Sequence, residues 1–414
     1  MNNAANALGR GARACLVLVF FAFPMSVALA NVALLLTLLL WLGSLAGAQA
    51  RAQFAQALRN PLAAPALALF AWVLIAASWS PAAQGEVLSF WQKYLKFALV
   101  PMFIALLQHA PTRRRCWQGF AIALLFTLAV TWLSTVVDIP WTKAGRTKVQ
   151  LDHTVFKDHI AQGLMMSLFA IVCAWTAVTQ PRWRAAAVLL WLLATGSILL
   201  LSVGRTGYLA WAASSAVFAL TLALAHSRRA VLGAVAGLIA VVALAFAVSP
   251  VLQERVQRAW TEARTVQLED SNATVTSAGA RVEMARLALQ QAAQAPLLGH
   301  GTAAYPTLAR EHFTTPAWCN VVCPHPHNQF LFFLIEQGAI GLLLFLWFLF
   351  AIAREGWRHD PPRRAFALAF VATATVASGT HSAFWLSTES HCLILMSALI
   401  MAGLVSRRAR RASP

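Results

Sequence analysis

The sequence predicts an all-α polytopic membrane protein, with about twelve transmembrane helices and one large loop between the ninth and the tenth. Three observations carry this. Hydrophobic residues fill 59% of the 414 positions and charged residues 11%. Apolar runs of about 20 residues recur along the chain, long enough to cross a bilayer as helices and too continuous for barrel strands. Only one interval, 249–327, is both long and polar.

Taken in order, the spans read as roughly 14–30, 32–49, 62–79, 94–109, 117–137, 159–179, 185–204, 207–226, 230–248, 328–353, 365–382 and 389–406. The first follows Arg10 and Arg13 and ends at Ala28-Leu29-Ala30, a pattern that resembles a signal peptide with its cleavage site. A second span begins almost at once, and cleavage would reverse the alternation of arginine-rich loops. An uncleaved hairpin is expected.

The net charge of +18 would suit a nucleic-acid binder until the charges are sorted by loop. With a cytoplasmic N-terminus, the inner connections hold Arg10 and Arg13, Arg51 and Arg59, Arg113 to Arg115, Arg182 and Arg184, and Arg228 and Arg229. The last inner loop and tail add Arg354, Arg358, Arg363, Arg364, Arg407, Arg408, Arg410 and Arg411, against only Glu355 and Asp360. The positive-inside rule accounts for this excess, places both termini in the cytoplasm and leaves no nucleic acid among the expected partners.

The outer connections near 30–31 and 205–206 are short. The one at 80–93 contains Glu86, and 138–158 gathers Asp138, Lys143, Arg146, Lys148, Asp152, His153, Lys157 and Asp158. The chain therefore divides into spans one to nine (1–248), an outer loop subdomain (249–327), and spans ten to twelve with a basic tail (328–414). Within the loop, 251–265 reads as a helix with Arg255 and Arg258, and 270–280 as mobile loop. A second helix from about 281 to 295 stops before Pro296, Gly299 and Gly301. Cys319 and Cys323 lie close together on an oxidising side, so a disulfide is expected. The rival reading is a metal cluster of Cys319, Cys323, His325 and His327, but its spacing matches no common zinc pattern. No metal and no cofactor are expected.

Ionisable groups at membrane depth are costly and mark function. Arg205, in Ser202-Val203-Gly204-Arg205-Thr206-Gly207, either snorkels to outer headgroups or binds an anion, and its sign opposes the other short loops' bias. Lys93 and Lys96, three residues apart at the outer end of the fourth span, share a helix face and can place one ammonium in a pocket. Arg281 opens the second loop helix, where a cation opposes the macrodipole unless a phosphate compensates; a plain surface arginine is the other reading. Arg286 is a weaker candidate of the same kind. His327, at the junction of loop and tenth span, is either a cap or a general acid–base. Asn328 beside it can supply an orienting or capping hydrogen bond, and His325 falls on another side. Glu336, inside the tenth span, needs either a cationic partner or a proton. No Asp-x-Asp pair or Walker loop is suitably placed. Outward-facing cations without a nucleotide site point to an anionic substrate carried in the membrane.

Three segments resemble a known family. His327-Asn328, nine residues, then Gly338-Ala339-Ile340-Gly341 is similar to the H[NSQ]x9GxxG signature of O-antigen ligases, within the wider O-antigen ligase and polymerase superfamily. Ser202 to Gly207 resembles that family's arginine segment at a span end. Ala280-Arg281-Val282-Glu283 through Pro296-Leu297-Leu298-Gly299-His300-Gly301 resembles its outer-loop signature, departing at Ala285, where relatives often carry an aromatic. The resemblance implies a glycosyltransferase with a GT-C-like fold at the periplasmic face of a bacterial inner membrane. It would move O-antigen polysaccharide from undecaprenyl pyrophosphate to a sugar hydroxyl of lipid A–core, without metal and with inversion. His327 would be the base, and Arg205 and Arg281 would hold the pyrophosphate; Asn328, Lys93, Lys96, Arg286 and His325 would line the substrate. The alternatives are an O-antigen polymerase, which more often spreads its arginines over two large loops, and a protein O-oligosaccharyltransferase, which usually carries an additional C-terminal outer domain. A lipid-linked sugar transporter would need charges along an alternating path, and here they gather on one side.

Overall fold

The computed structural model describes residues 2–147, 152–264, 277–313 and 315–412. Lys148 and residues 265–276, which include most of the expected mobile loop 270–280, lie outside them. Among the described residues the chain forms helices and turns only.

α1 (Asn2–Ala22) and α2 (Val27–Ser44) form a closely packed hairpin, turned at Ser26, whose hydroxyl accepts from the Leu29 N–H. α3 (Ala48–Leu58) meets α4 (Ala63–Ala76) at an 84° bend. α5 (Gln84–Ala98) runs on through α6 (Val100–Leu107), and α7 (Ala110–Leu133) returns. After the short α8 (Lys143–Thr147), Asp158 caps α9 (His159–Thr179), accepting from the N–H groups of Ile160 and Ala161. α10 (Arg184–Leu199), α11 (Arg205–Leu224) and α12 (Arg228–Val248) follow. Gly163 of α9 lies so close to Gly207 of α11 that a Cβ on either would come within about 3.0 Å of the other's Cα. Small residues allow such close approach between membrane helices, where apolar burial gives no drive to associate.

The described parts of 249–327 are helical. α13 (Pro250–Arg264), α14 (Ser277–Gln294), α15 (Ala304–His312) and α16 (Pro316–Val322) precede the long α17 (Gln329–Trp357). Ala280, Met284, Leu287 and Ala288 form a helical stripe that buries α14 against the bundle. The Tyr305 hydroxyl donates to the Val322 carbonyl at 2.9 Å, and Cys319 and Cys323 are joined by a disulfide. α18 (Pro361–Thr380) and α19 (Ser387–Ala412) complete the chain.

Among the described residues ten helices are long and apolar enough to cross a membrane, or eleven if α3 and α4 count as one bent span. α18 occupies the remaining expected span. Arg363, Arg364 and its Thr and Ser residues dilute its apolarity, while its small residues pack it against α9, α11 and α17.

Candidate functional site

The tenth span begins with an unusual turn. His327 has φ 47°, a left-handed conformation uncommon for a residue with a side chain. Its N–H donates to His325 Nδ1 at 3.3 Å, so the chain folds back and the two rings lie 4.2 Å apart. Asn328 then caps α17: its Oδ1 accepts from the N–H groups of Phe330 (3.0 Å) and Leu331 (3.1 Å), and its Nδ2 donates to the Gly379 carbonyl at 3.1 Å. These bonds occupy both ends of the amide. Asn328 therefore orients the start of α17 against the end of α18, the capping role that was one of its two expected uses.

That docking brings in a residue the sequence reading passed over. His381, just beyond α18, stacks on His327 with ring planes 10° apart, and the two Nδ1 atoms are 3.0 Å from each other. One ring nitrogen from each of His325, His327 and His381 lies within 4.8 Å of the other two. Among the described residues this is the grouping compact enough to hold a metal ion. The four-residue cluster considered from sequence is excluded as drawn, because the sulfurs of Cys319 and Cys323 are bonded to each other. His325 is also not on a separate side: it is 9% exposed and packs against His327, His381 and Trp385.

Burial and neighbouring cations keep the three rings neutral. Desolvation first, and the Arg281 charge second, pull His327 down to about 4. Burial leads for the others too, with His381 lowered to about 3 and His325 to about 2. The imidazole lone pairs are therefore available well below neutrality.

Cations sit on three elements, and those whose charge reaches the trio are Arg281 and Lys93. Arg281 is half-buried and sits one turn inside α14, because that helix begins at Ser277; the argument from a helix terminus does not apply to it. Its charge is felt at both His327 and His381. Arg205 opens α11, half-buried, after Gly204; a Cβ on Gly204 would come within 2.7 Å of the His159 carbonyl, and His159 in turn influences His381. Lys93 lies with its ammonium 3.1 Å from the centroid of Trp385, and its charge reaches His325. Lys96, 7% exposed, is one turn deeper, beside Lys93 and His391 rather than the histidine trio. Arg286 is an exposed arginine paired with Glu283 at 3.2 Å and joins none of these contacts.

The glycine motifs meet in space. Gly338 interrupts α17 with φ 65° and ψ −168°, which frees backbone groups inside the bundle. The 296–301 turn satisfies them: the Ala339 N–H donates to Pro296 O (2.8 Å), His300 N–H to Ile335 O (2.9 Å) and Gly301 N–H to Glu336 O (2.8 Å). Glu336, fully buried, accepts from the Tyr305 N–H at 3.3 Å, placing its carboxyl at the N-terminus of α15. Its place is thus structural, at the joint between loop and span.

His381 and Glu389 were both missed. The available signal was a histidine at the end of one apolar span and a glutamate at the start of the next, a costly placement in a membrane chain. The family model described as O-antigen ligase matches residues 186–346, a stretch that contains Arg205, Arg281, His327 and Gly338. Among curated proteins, none matches the chain.

Proposed function

We propose, from the O-antigen ligase family match over 186–346, that the chain is a member of the O-antigen ligase and polymerase superfamily and transfers O-antigen glycan from undecaprenyl pyrophosphate to a sugar hydroxyl of lipid A–core. The reaction would occur at the periplasmic face of a bacterial inner membrane, with both chain ends cytoplasmic. The observation that carries this reading is a neutral, half-buried histidine at the loop–span junction, within electrostatic reach of Arg281.

His327 is the base. His381 occupies its Nδ1, which leaves Nε2 to meet the acceptor hydroxyl. A positioned base of this kind contributes about 10²–10⁴-fold to rate. Arg281 and Arg205 hold the pyrophosphate and stabilise the charge that builds on it as the glycosidic C–O bond breaks. Lys93 and Lys96 add positive charge on the side of α5. The donor carbon undergoes a single displacement, so its configuration inverts, and no metal is required because arginines supply the charge.

Purified protein, lipid-linked donor and lipid A–core acceptor provide the test. Wild-type protein forms the conjugate in excess EDTA, and His327→Ala binds the donor without transferring it. Normal turnover by His327→Ala, or EDTA-sensitive transfer restored by a metal, would refute the assignment. Lengthening of donor glycan with no acceptor present would identify a polymerase instead.

A further inference from the structure

We propose that His381 and Glu389 are positioning residues behind His327: they select its tautomer and share the charge it takes up during transfer. The inference rests on His327 being the base. A hydrogen bond between two imidazole nitrogens holds one proton, so of the two Nδ1 atoms 3.0 Å apart, one carries hydrogen and the other is bare. His381 Nε2 lies 3.8 Å from Glu389 Oε1. When Glu389 is ionised, a bare Nε2 facing it would be repulsive, so the proton of neutral His381 then belongs on Nε2 and its Nδ1 is the acceptor. The Nδ1 hydrogen then belongs to His327, whose Nε2 lone pair faces the substrate. One carboxylate, through one intermediate ring, fixes the tautomer a base needs.

Glu389 is placed to do this. It is 4% exposed and sits in the first turn of α19, where the helix N-terminus favours negative charge. The other charged or titratable groups facing the pair are His325, Arg281 from α14, and Asp158 and His159 from the start of α9; Glu389 is faced by Asp158, which opposes its charge, and by Lys157, which favours it. Arg281 opposes a positive charge on His327, so a lone ring there is a reluctant proton acceptor. His381 feels Arg281 too and is the more buried ring, so its share of the charge depends on Asp158, which faces it, and on Glu389, 3.8 Å from its Nε2.

The step balances. The acceptor oxygen bonds to the anomeric carbon while its proton moves to His327 Nε2, and the His327 Nδ1 proton moves to His381 Nδ1. His381 becomes the imidazolium beside Glu389, and the electron pair of the broken C–O bond leaves with the pyrophosphate. The proton returns to water after product departs.

Steady-state transfer by His381→Ala, His381→Gln, His381→Phe, Glu389→Gln and His327→Ala tests the assignment. His381→Ala should lower kcat by about 10²-fold with donor KM little changed. Added imidazole should restore turnover in His381→Ala but not in His381→Phe, whose ring fills the space. His381→Gln should keep the fold and the low kcat, since an amide accepts the hydrogen bond but takes no proton. Glu389→Gln should lose about tenfold in kcat. Joining His381→Ala to His327→Ala should cost no more than His327→Ala alone, because residues acting as one unit are not additive. Wild-type kcat in His381→Ala and His381→Gln beside an inactive His327→Ala would overturn this inference alone. So would loss of activity in His381→Ala that imidazole never restores. Normal turnover by His327→Ala would instead overturn the base assignment and this inference with it.

Discussion

Gly338→Ala should separate the loop turn from α17. At φ 65° and ψ −168° the backbone lies in a region that is essentially glycine's, and a side chain there costs about 1–3 kcal/mol. A Cβ would stand 2.2 Å from the Leu297 carbonyl oxygen and 2.6 Å from the Gly299 nitrogen. Both are backbone atoms, so relief requires moving the whole 296–301 turn. That movement breaks the bonds from Ala339 N–H to Pro296 O (2.8 Å) and from Ile340 N–H to Leu297 O (3.3 Å). Two hydrogen bonds at about 0.5–1.5 kcal/mol each bring the expected loss to about 2–6 kcal/mol. The assay is the unfolding midpoint of detergent-purified protein, read beside transfer activity. Gly237→Ala in α12 is the control: its Cβ meets nothing within 4 Å, so the midpoint should hold or rise. A Gly338→Ala protein that unfolds at the wild-type midpoint and transfers normally would refute the reasoning.

Three further outcomes follow from the site. Because burial and Arg281 pull His327 down to about 4, the competent neutral ring persists through neutrality, and kcat should fall only as pH drops toward that value; an acid limb at the ordinary histidine position, about 6.5, would contradict this. Arg281→Ala and Arg205→Ala should each cost about 10²–10³-fold in transfer, with lysine restoring part of it because an ammonium lacks the bidentate fork; near wild-type rates in both alanine variants would remove them from the site. Alkylation without reductant should find two fewer thiols than after reduction, owing to Cys319 and Cys323, and reduction should destabilise the protein by about 2 kcal/mol for so short a closed loop; full alkylation without reductant would exclude the bridge in solution.

The membrane architecture was legible in the sequence because the bilayer imposes a one-dimensional code. A span needs about 20 apolar residues to satisfy its backbone in hydrocarbon, and arginines collect on one side. Runs such as Arg228–Val248 meet that code without help from neighbours. α18 meets it less well, since packing against three other helices replaces part of the apolarity a lipid-facing helix requires. The helix boundaries in the loop were read to within a few residues at Pro250–Arg264, but not at α14, whose start at Ser277 moved Arg281 from the terminus into the first full turn.

The site itself was only half legible. His327, Asn328, Arg205, Arg281 and Lys93 could be picked out because a charge or a histidine at membrane depth is conspicuous in a chain that is 59% hydrophobic. What each does depended on contacts distant in sequence, which no local pattern encodes. Asn328 became a cap because α18 offers the Gly379 carbonyl, and Glu336 became part of a joint because α15 begins beside it. The chain alone determined that there are spans, a long polar loop and a set of ionisable residues near their boundary. The tertiary structure decided that His381, 54 residues beyond His327, would share its Nδ1 hydrogen bond, because a close pair of imidazoles depends on where two helix ends dock and not on the residues flanking either.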